Sequence, residues 1–191
     1  SKRRGALALT EYRDAGYLPG AILNMVALIG WNPGTEQEIF TKQELISTFE
    51  LSRVQKSSAM FNPEKLEWIN REHIKLLPED KKLLLCDQFL PLEVTSHPLY
   101  KDKRALIAPV LLERLGHFGE LRTMSKDGEL DYYFASPTYP KEKLFWKDER
   151  DETKLIERLK CVHELLSKIP ADSFSKESAK EAIWNYAEGE G

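Results

Sequence analysis

The chain opens on Ser1, Lys2 and Arg3, a hydroxyl and two cations of the kinds that bind phosphate groups. In isolation such a string is usually a frayed, solvated basic end, because chain termini seldom have packing partners. The sequence contains no glycine-rich loop whose backbone amides would cradle nucleotide phosphates. Phosphate binding by these three residues can therefore be inferred only from the sequence that follows them.

A second group of candidates combines aromatic rings with positive charge. Tyr132, Tyr133 and Phe134 follow the basic residues Arg122 and Lys126. Aromatic side chains on a loop can stack on unpaired bases, at about 1–3 kcal/mol per base. The competing interpretation is that the segment fills the space between two helical units. We favour packing for Phe134 and keep both interpretations for the tyrosines.

The composition is that of a globular protein, with 41% hydrophobic and 31% charged residues. A length of 191 residues leaves room for one large domain or for two to three small ones. Because the net charge is −3, nucleic-acid binding would rest on local patches. No apolar run is long enough to cross a membrane, and no secretory signal opens the chain. The two isolated cysteines are typical of a reduced, cytoplasmic protein.

Helical signals dominate the elements that must position these residues. Thr41 and Glu44 form a capping box, Asn62 followed by Pro63 marks another helix start, and Gly16 is expected to end the first helix. No run of short alternating strands is visible. We predict a mainly α protein with helices over 10–15, 19–29, 42–49, from 63 towards Pro78, 79–89, 103–115 with Pro109 inside, 152–169 and 176–187, the last one stopped at Gly189–Gly191.

Helical spacing after Asn62 places Leu66, Ile69 and His73 on one face. We expect Trp68 to face inward beside them and Trp31 to be buried as well. An exposed tryptophan would instead be able to stack on bases.

The positions at which the predicted helices are interrupted suggest three units, over 1–77, 78–140 and 141–191. The third unit contains two predicted helices, which make a poor core by themselves.

Several strings in the first unit carry a family resemblance: GYLPGAILN and LIGWNPG around 16–34, and FNPEKLEWIN at 61–70. They resemble the segment that follows the active site of bacterial-type glutamyl-tRNA synthetases, and Ser1-Lys2-Arg3 resembles the tail of that family's KLSKR motif. The resemblance implies that Lys2 is catalytic and holds the ATP phosphates, together with Ser1 and Arg3. It also implies that the chain starts inside this motif, behind a catalytic domain.

The resemblance implies that the whole enzyme uses ATP and Mg²⁺, and it implies no cofactor for the 191 residues alone. The family's His-x-Gly-His signature does not occur in the sequence, so we expect the chain by itself to be inactive. The implied partners are tRNA(Glu), with glutamate and ATP bound through the catalytic domain, and the implied protein is a cytoplasmic monomer without a membrane partner.

Residues 1–77 resemble the stem-contact domain of the family, which lies against the inner corner of the tRNA. The implied tRNA-binding candidates there are Lys56, Ser57, Lys65 and Arg71, because an A-form stem is recognised by its shape and its phosphates. A solvated surface charge is the alternative for each of them.

Residues 78–140 resemble a helical anticodon-binding domain, and KEAIWNYAEGEG at 180–191 resembles part of a second one. In some members an arginine near the position of Arg114 helps to read the anticodon, although Gly116 departs from the family's pattern. Arg122, Tyr132 and Tyr133 complete the implied tRNA-binding set. An alternative function is a non-catalytic helical adaptor that binds protein partners through its amphipathic helices.

Overall fold

A computed structural model describes residues 8–55, 60–136, 138–145 and 150–190. Within these ranges the protein is mainly α, as predicted, and no β-strand is present; one isolated antiparallel bridge joins Trp31 to Val54. The α-helices in the described ranges are α1 (Leu9–Asp14), α2 (Pro19–Gly30), α3 (Lys42–Thr48), α4 (Pro63–Lys75), α5 (Glu79–Phe89), α6 (Leu92–Thr95), α7 (Tyr100–Leu112), α8 (Glu120–Lys126), α9 (Glu152–Ser167) and α10 (Lys176–Glu190).

Side-chain caps start the helices where the sequence predicts them. The Thr41 hydroxyl accepts the amide of Glu44 at 3.2 Å, and the Glu44 carboxylate accepts the amide of Thr41 at 2.7 Å. The Asn62 side chain accepts the amides of Glu64 and Lys65, with Pro63 in the first turn. These bonds satisfy amides that have no partner inside the helix, so both predicted starts are confirmed.

The predicted limits of two helices are wrong: α7 spans Tyr100–Leu112 rather than 103–115, and the last helix ends later than expected. The last helix was expected to stop at residue 187, but α10 continues through Gly189 to Glu190. The indole nitrogen of Trp184 donates to the Glu188 carboxylate at 2.8 Å, which supports the final turn. A single glycine costs a helix only about 1 kcal/mol, so it does not by itself end one.

The chain divides into two compact units, residues 1–137 and 138–191. In the first unit the α2–α4 core consists of Ala21, Met25, Leu66 and Ile69. A smaller cluster surrounds Trp31. The α5–α8 core is larger and consists of Ile74, Cys86, Phe89, Leu90, Tyr100, Ile107, Ala108, Leu111, Leu115, Phe118, Leu121, Met124 and Leu130.

Helix α4 contributes to both large cores. Leu66 and Ile69 lie in the α2–α4 core, and Ile74, little more than a turn further on, lies in the α5–α8 core. Leu18 packs against both. The proposed boundary between residues 77 and 78 therefore follows a helix that the two cores share, and the division into 1–77, 78–140 and 141–191 stays a prediction.

Trp31 and Trp68 differ in burial. Trp31 is 2% exposed and its ring lies 5.8 Å from that of Phe40, so its predicted burial is confirmed. Trp68 is 38% exposed, so its predicted burial is wrong. At about 100° per residue, Trp68 lies about 200° around α4 from Leu66 and hence outside the buried stripe.

A buried polar network holds α2, α4 and the segment before α3 together. Asn24 is fully buried; its amide nitrogen donates to the Glu38 carbonyl at 3.0 Å, and its oxygen accepts the Phe40 amide at 2.8 Å. The same oxygen lies 3.0 Å from Nε2 of His73, which therefore donates. Burial lowers the pKa of His73, and the negative charge of Glu44 opposes this only in part.

The network predicts a loss of stability in mild acid. A histidine ordinarily has a pKa of about 6.5, and the pKa of buried His73 lies below that value. As the pH falls below about 6.5, the unfolded chain binds a proton that the native chain does not, and the free energy of unfolding decreases. Urea denaturation at a series of pH values measures this change.

The matched variant is His73→Gln, whose amide can still donate to Asn24 but does not titrate. It should be less dependent on pH between about 6.5 and 5, above the range where Glu44 protonates. An equal pH dependence in this variant would assign the effect to other groups.

The second unit is a pair of helices, α9 and α10, that pack against each other. The Asp151 carboxylate accepts the amides of Thr153 and Lys154 at the start of α9. The Ser175 hydroxyl accepts the amide of Ser178 at 3.1 Å, which confirms the predicted cap of α10. No residue of α9 is buried. Among the described residues no helix is long and apolar enough to cross a membrane.

Candidate RNA-contacting surfaces

Five of the predicted site residues lie outside the described residues. Ser1, Lys2 and Arg3 belong to the first seven residues of the chain, and Lys56 and Ser57 belong to 56–59. Their assignment to ATP or tRNA binding stays a prediction.

The two candidates on α4 have different surroundings. The Lys65 ammonium pairs with the Glu38 carboxylate, and both side chains are partly exposed. The Arg71 guanidinium donates through Nε to the Leu115 carbonyl at 3.3 Å and is half-buried. Six positions apart, the two residues are separated by about 240° around the helix. Lys65 therefore lies on the surface, whereas Arg71 links α4 to the chain after α7.

The structure brings Arg114, Tyr132 and Tyr133 together beyond the end of α7. Arg114 pairs with Glu129 at 2.8 Å and keeps 58% of its side chain exposed. The rings of Tyr132 and Tyr133 lie 4.1 Å apart, and Tyr132 is 51% exposed. We name Arg114, Tyr132 and Tyr133 the tyrosine patch.

The Tyr133 phenol of this patch is held neutral, and a cation from outside the patch contacts the Tyr133 backbone. Burial, and then a hydrogen bond with Tyr132, raise the pKa of Tyr133 to about 12, and the charge of Arg114 opposes this rise. Lys103 donates from Nζ to the Tyr133 carbonyl at 2.6 Å, so a second cation lies beside the patch. Lys103 was not among the residues predicted from the sequence, because a bond across 30 residues leaves no local signal.

The remaining aromatic and basic candidates take part in packing. The Arg122 guanidinium lies 5.0 Å from the centre of the Phe89 ring. Phe134 packs against the α5–α8 core, with its ring 4.8 Å from that of His97. The packing interpretation of Phe134 is confirmed. Arg122 remains exposed enough for a ligand, but its position already has a structural partner.

Four residues join the part of the chain around α2 and α4 to the part around α5–α8. Asn70 is fully buried; its oxygen accepts the Leu18 amide at 2.8 Å, and its nitrogen donates to the Gly116 carbonyl at 2.6 Å. Nearby, Gly16 has a φ of +86° and lies against Gly119. We name Gly16, Asn70, Gly116 and Gly119 the joint.

The joint was also not predicted from the sequence, although one signal was available. Asn70 occupies a position of the apolar stripe of α4, between Ile69 and His73. A polar amide at such a position is expected to be buried and fully bonded, since an unpaired buried amide is costly.

Metal binding by the protein finds no support in the described ranges, where no group of three or more His, Cys, Asp or Glu side chains could hold an ion. Both cysteines are free, and burial raises the pKa of the Cys86 thiol to about 12. Exposed cations and aromatic rings such as those of the tyrosine patch are side-chain types that can bind a polyanion with exposed bases.

Comparison with known proteins identifies relatives over the whole chain. A family model described as the catalytic domain of class I tRNA synthetases (E and Q) matches residues 1–68. A glutamate–tRNA ligase of Desulforudis audaxviator is 32% identical over 189 residues, covering 96% of this chain and 36% of that protein. A glutamate–tRNA ligase of Chloroherpeton thalassium is 33% identical over 204 residues, covering 100% of this chain and 38% of that protein.

A solved structure agrees with these sequence matches. The crystal structure of a glutamate tRNA ligase from Elizabethkingia meningosepticum, in complex with its amino acid, superposes with a TM-score of 0.67 at 30% identity. The match covers 94% of this chain and 34% of that one. The chain thus spans about a third of the length of the relatives it matches, in their C-terminal part.

Proposed function

We infer that this chain, whose homologues along nearly its whole length are glutamate–tRNA ligases, is the tRNA-binding C-terminal part of such an enzyme. The observation that carries the proposal is the alignment of 96% of the chain with one of these ligases. The exposed aromatic and basic side chains of the tyrosine patch support it, since they are the types that bind single-stranded RNA.

The proposal gives each predicted unit a role. Residues 1–77 contact the inner corner of the tRNA, residues 78–140 approach its anticodon, and residues 141–191 are part of a second anticodon-binding domain. Lys56, Ser57 and Lys65 contact phosphates in the first unit. Arg71 and Arg122 are weaker candidates, because Arg71 is half-buried against the Leu115 carbonyl and Arg122 lies over the Phe89 ring.

Within residues 78–140, the tyrosine patch is the proposed anticodon-facing surface. Tyr132 offers its ring to an unpaired base, and Arg114 reaches a phosphate or a base edge. Glu129 pairs with Arg114 in the structure and would compete with RNA for it. Tyr133 remains protonated at neutral pH and is able to donate a hydrogen bond.

The whole enzyme activates glutamate and then transfers it. A glutamate carboxylate oxygen bonds to the α-phosphorus of ATP, the bond to pyrophosphate breaks, and glutamyl-adenylate forms. A hydroxyl at the 3′ end of tRNA(Glu) then attacks the acyl carbon, and AMP leaves. Lys2 stabilises the charge that develops on the departing pyrophosphate, and Mg²⁺ bound with ATP in the whole enzyme would supply further positive charge there. We also propose that the protein is a cytoplasmic monomer.

Binding of tRNA(Glu) by the 191-residue chain is the direct test. The chain should retard a tRNA(Glu) transcript in a low-salt gel, and the affinity should fall steeply as salt increases, because each phosphate contact releases counterions. Arg114→Ala should weaken binding, and Glu129→Gln should strengthen it by removing the competing carboxylate.

Arg13→Ala serves as the control, because Arg13 is exposed, pairs with its neighbour Asp14 and belongs to neither proposed surface. A helical adaptor would leave the RNA unshifted at every salt concentration. That result would contradict the proposed function.

A further inference from the structure

We propose that Asn70 is a positioning residue, and that the joint holds two RNA-contacting surfaces at a fixed angle so that the chain binds two arms of one tRNA together. This proposal rests on the proposed function. One surface is the exposed part of α4 near Lys65, and the other is the tyrosine patch.

The bonds of Asn70 connect segments far apart in the sequence. Its side chain accepts from Leu18, 52 residues away, and donates to Gly116, 46 residues away. Because Asn70 is fully buried, water cannot replace either partner if the side chain is removed. The amide thus sets the position of α4 relative to both the start of α2 and the turn after α7.

The glycines of the joint bring the same two parts together at the backbone. The Phe118 amide donates to the Gly16 carbonyl at 3.2 Å, and the Gly119 amide donates to the Ala15 carbonyl at 2.9 Å. A Cβ on Gly119 would collide with the Ala15 carbonyl oxygen. Two independent sets of contacts, one through a side chain and one through the backbone, therefore define one arrangement.

The two proposed RNA-contacting surfaces belong to the two parts of the chain that these contacts join. Lys65 belongs to the first turn of α4, next to Leu66 of the α2–α4 core. Tyr133 packs against the α5–α8 core, with Arg114 nearby. When two linked surfaces bind one rigid ligand, the second contact is intramolecular, and its benefit depends on correct geometry. The joint supplies that geometry.

The test compares intact tRNA(Glu) with a hairpin of its anticodon arm alone. The wild-type chain should bind the intact tRNA more tightly than the hairpin, since only the tRNA reaches both surfaces. Asn70→Ala should weaken binding of intact tRNA by about tenfold and change binding of the hairpin by less than about twofold. The measured quantity is the ratio of the two dissociation constants.

Ile69→Ala is the matched control for a general loss of stability. Ile69 neighbours Asn70 on α4 and is fully buried, but it packs within the α2–α4 core. It should lower the thermal unfolding midpoint and leave the ratio at its wild-type value. Gly119→Ala is a second variant, which disturbs the joint at the backbone and decides the question if Asn70→Ala does not fold.

The outcomes separate this proposal from the proposed function. An unchanged ratio in a folded joint variant, or a ratio that falls equally in Ile69→Ala, would overturn the role of the joint. So would a wild-type chain that binds tRNA no better than the hairpin, although the proposed function would then stand. A chain that binds neither RNA would contradict the proposed function itself.

Discussion

Replacing Lys2 by alanine in an enzyme that joins this chain to the nucleotide-binding part of its relatives is expected to slow glutamate activation by about 10²- to 10³-fold. An ammonium group that contacts the phosphates only as charge builds up on the pyrophosphate stabilises the transition state more than the ground state. Its loss therefore lowers the rate of activation and has little effect on tRNA affinity. ATP–pyrophosphate exchange measures the first quantity, and gel retardation measures the second.

Two controls make this experiment specific to Lys2. Arg4→Ala removes a neighbouring cation that lies outside the motif tail and should leave exchange nearly unchanged. The 191-residue chain alone should show no exchange, because its sequence contains no His-x-Gly-His signature. Normal exchange by Lys2→Ala would exclude Lys2 from catalysis, and exchange by the chain alone would contradict the assignment of activation to another part of the enzyme.

Gly16→Ala is expected to lower the free energy of unfolding by about 2–5 kcal/mol, from the sum of two effects. Gly16 has a φ of +86°, a conformation that costs a residue with a Cβ about 1–2 kcal/mol. An added Cβ would also lie 2.7 Å from the Gly119 nitrogen and 2.8 Å from a Phe89 ring carbon. Because protein cores are closely packed, these atoms can separate only if the start of α8 or Phe89 of α5 moves. Urea denaturation at neutral pH measures the loss.

Gly30→Ala is the matched control for this substitution. Gly30 ends α2, and no atom lies within 4 Å of the position that its Cβ would occupy. Alanine there should be neutral or stabilising by up to about 1 kcal/mol, because it favours the helix. If Gly16→Ala were as stable as the wild-type chain, the close approach of Gly16 and Gly119 would be wrong.

Local signals were sufficient to predict most helices. The capping box of Thr41 and Glu44 and the Asn62-Pro63 start depend on residues at most three positions apart, so the sequence contains all the information needed. Gly16 was predicted for the same reason, since a left-handed residue after a helix is usually glycine.

Errors arose where local pattern and packing differ. Trp68 was expected inside from its spacing along α4, but its place on the circumference of the helix lies outside the stripe that contacts α2. Gly189 was expected to end α10, although a glycine near a helix end is compatible with both continuing and stopping.

The proposed RNA-contacting surfaces were less predictable than the fold. Arg114 was predicted separately from Tyr132 and Tyr133, and its proximity to them became evident only in three dimensions. Arg71 resembles a free surface cation in the sequence, but its guanidinium bonds to the Leu115 carbonyl, 44 residues away. Such partners depend on the packing of α4 against the chain after α7, which no local pattern contains.

The shared helix α4 has a consequence for how the protein unfolds. Detaching the residues beyond 78 would expose Ile74 to water and remove the Gly116 carbonyl that accepts from the Asn70 amide. Detaching α2 would uncover Leu66 and Ile69 of the α2–α4 core. Opening either part of the chain while the other stays folded therefore costs a large free energy. Amide hydrogens of α2 and of α7 should therefore exchange with solvent through the same concerted event.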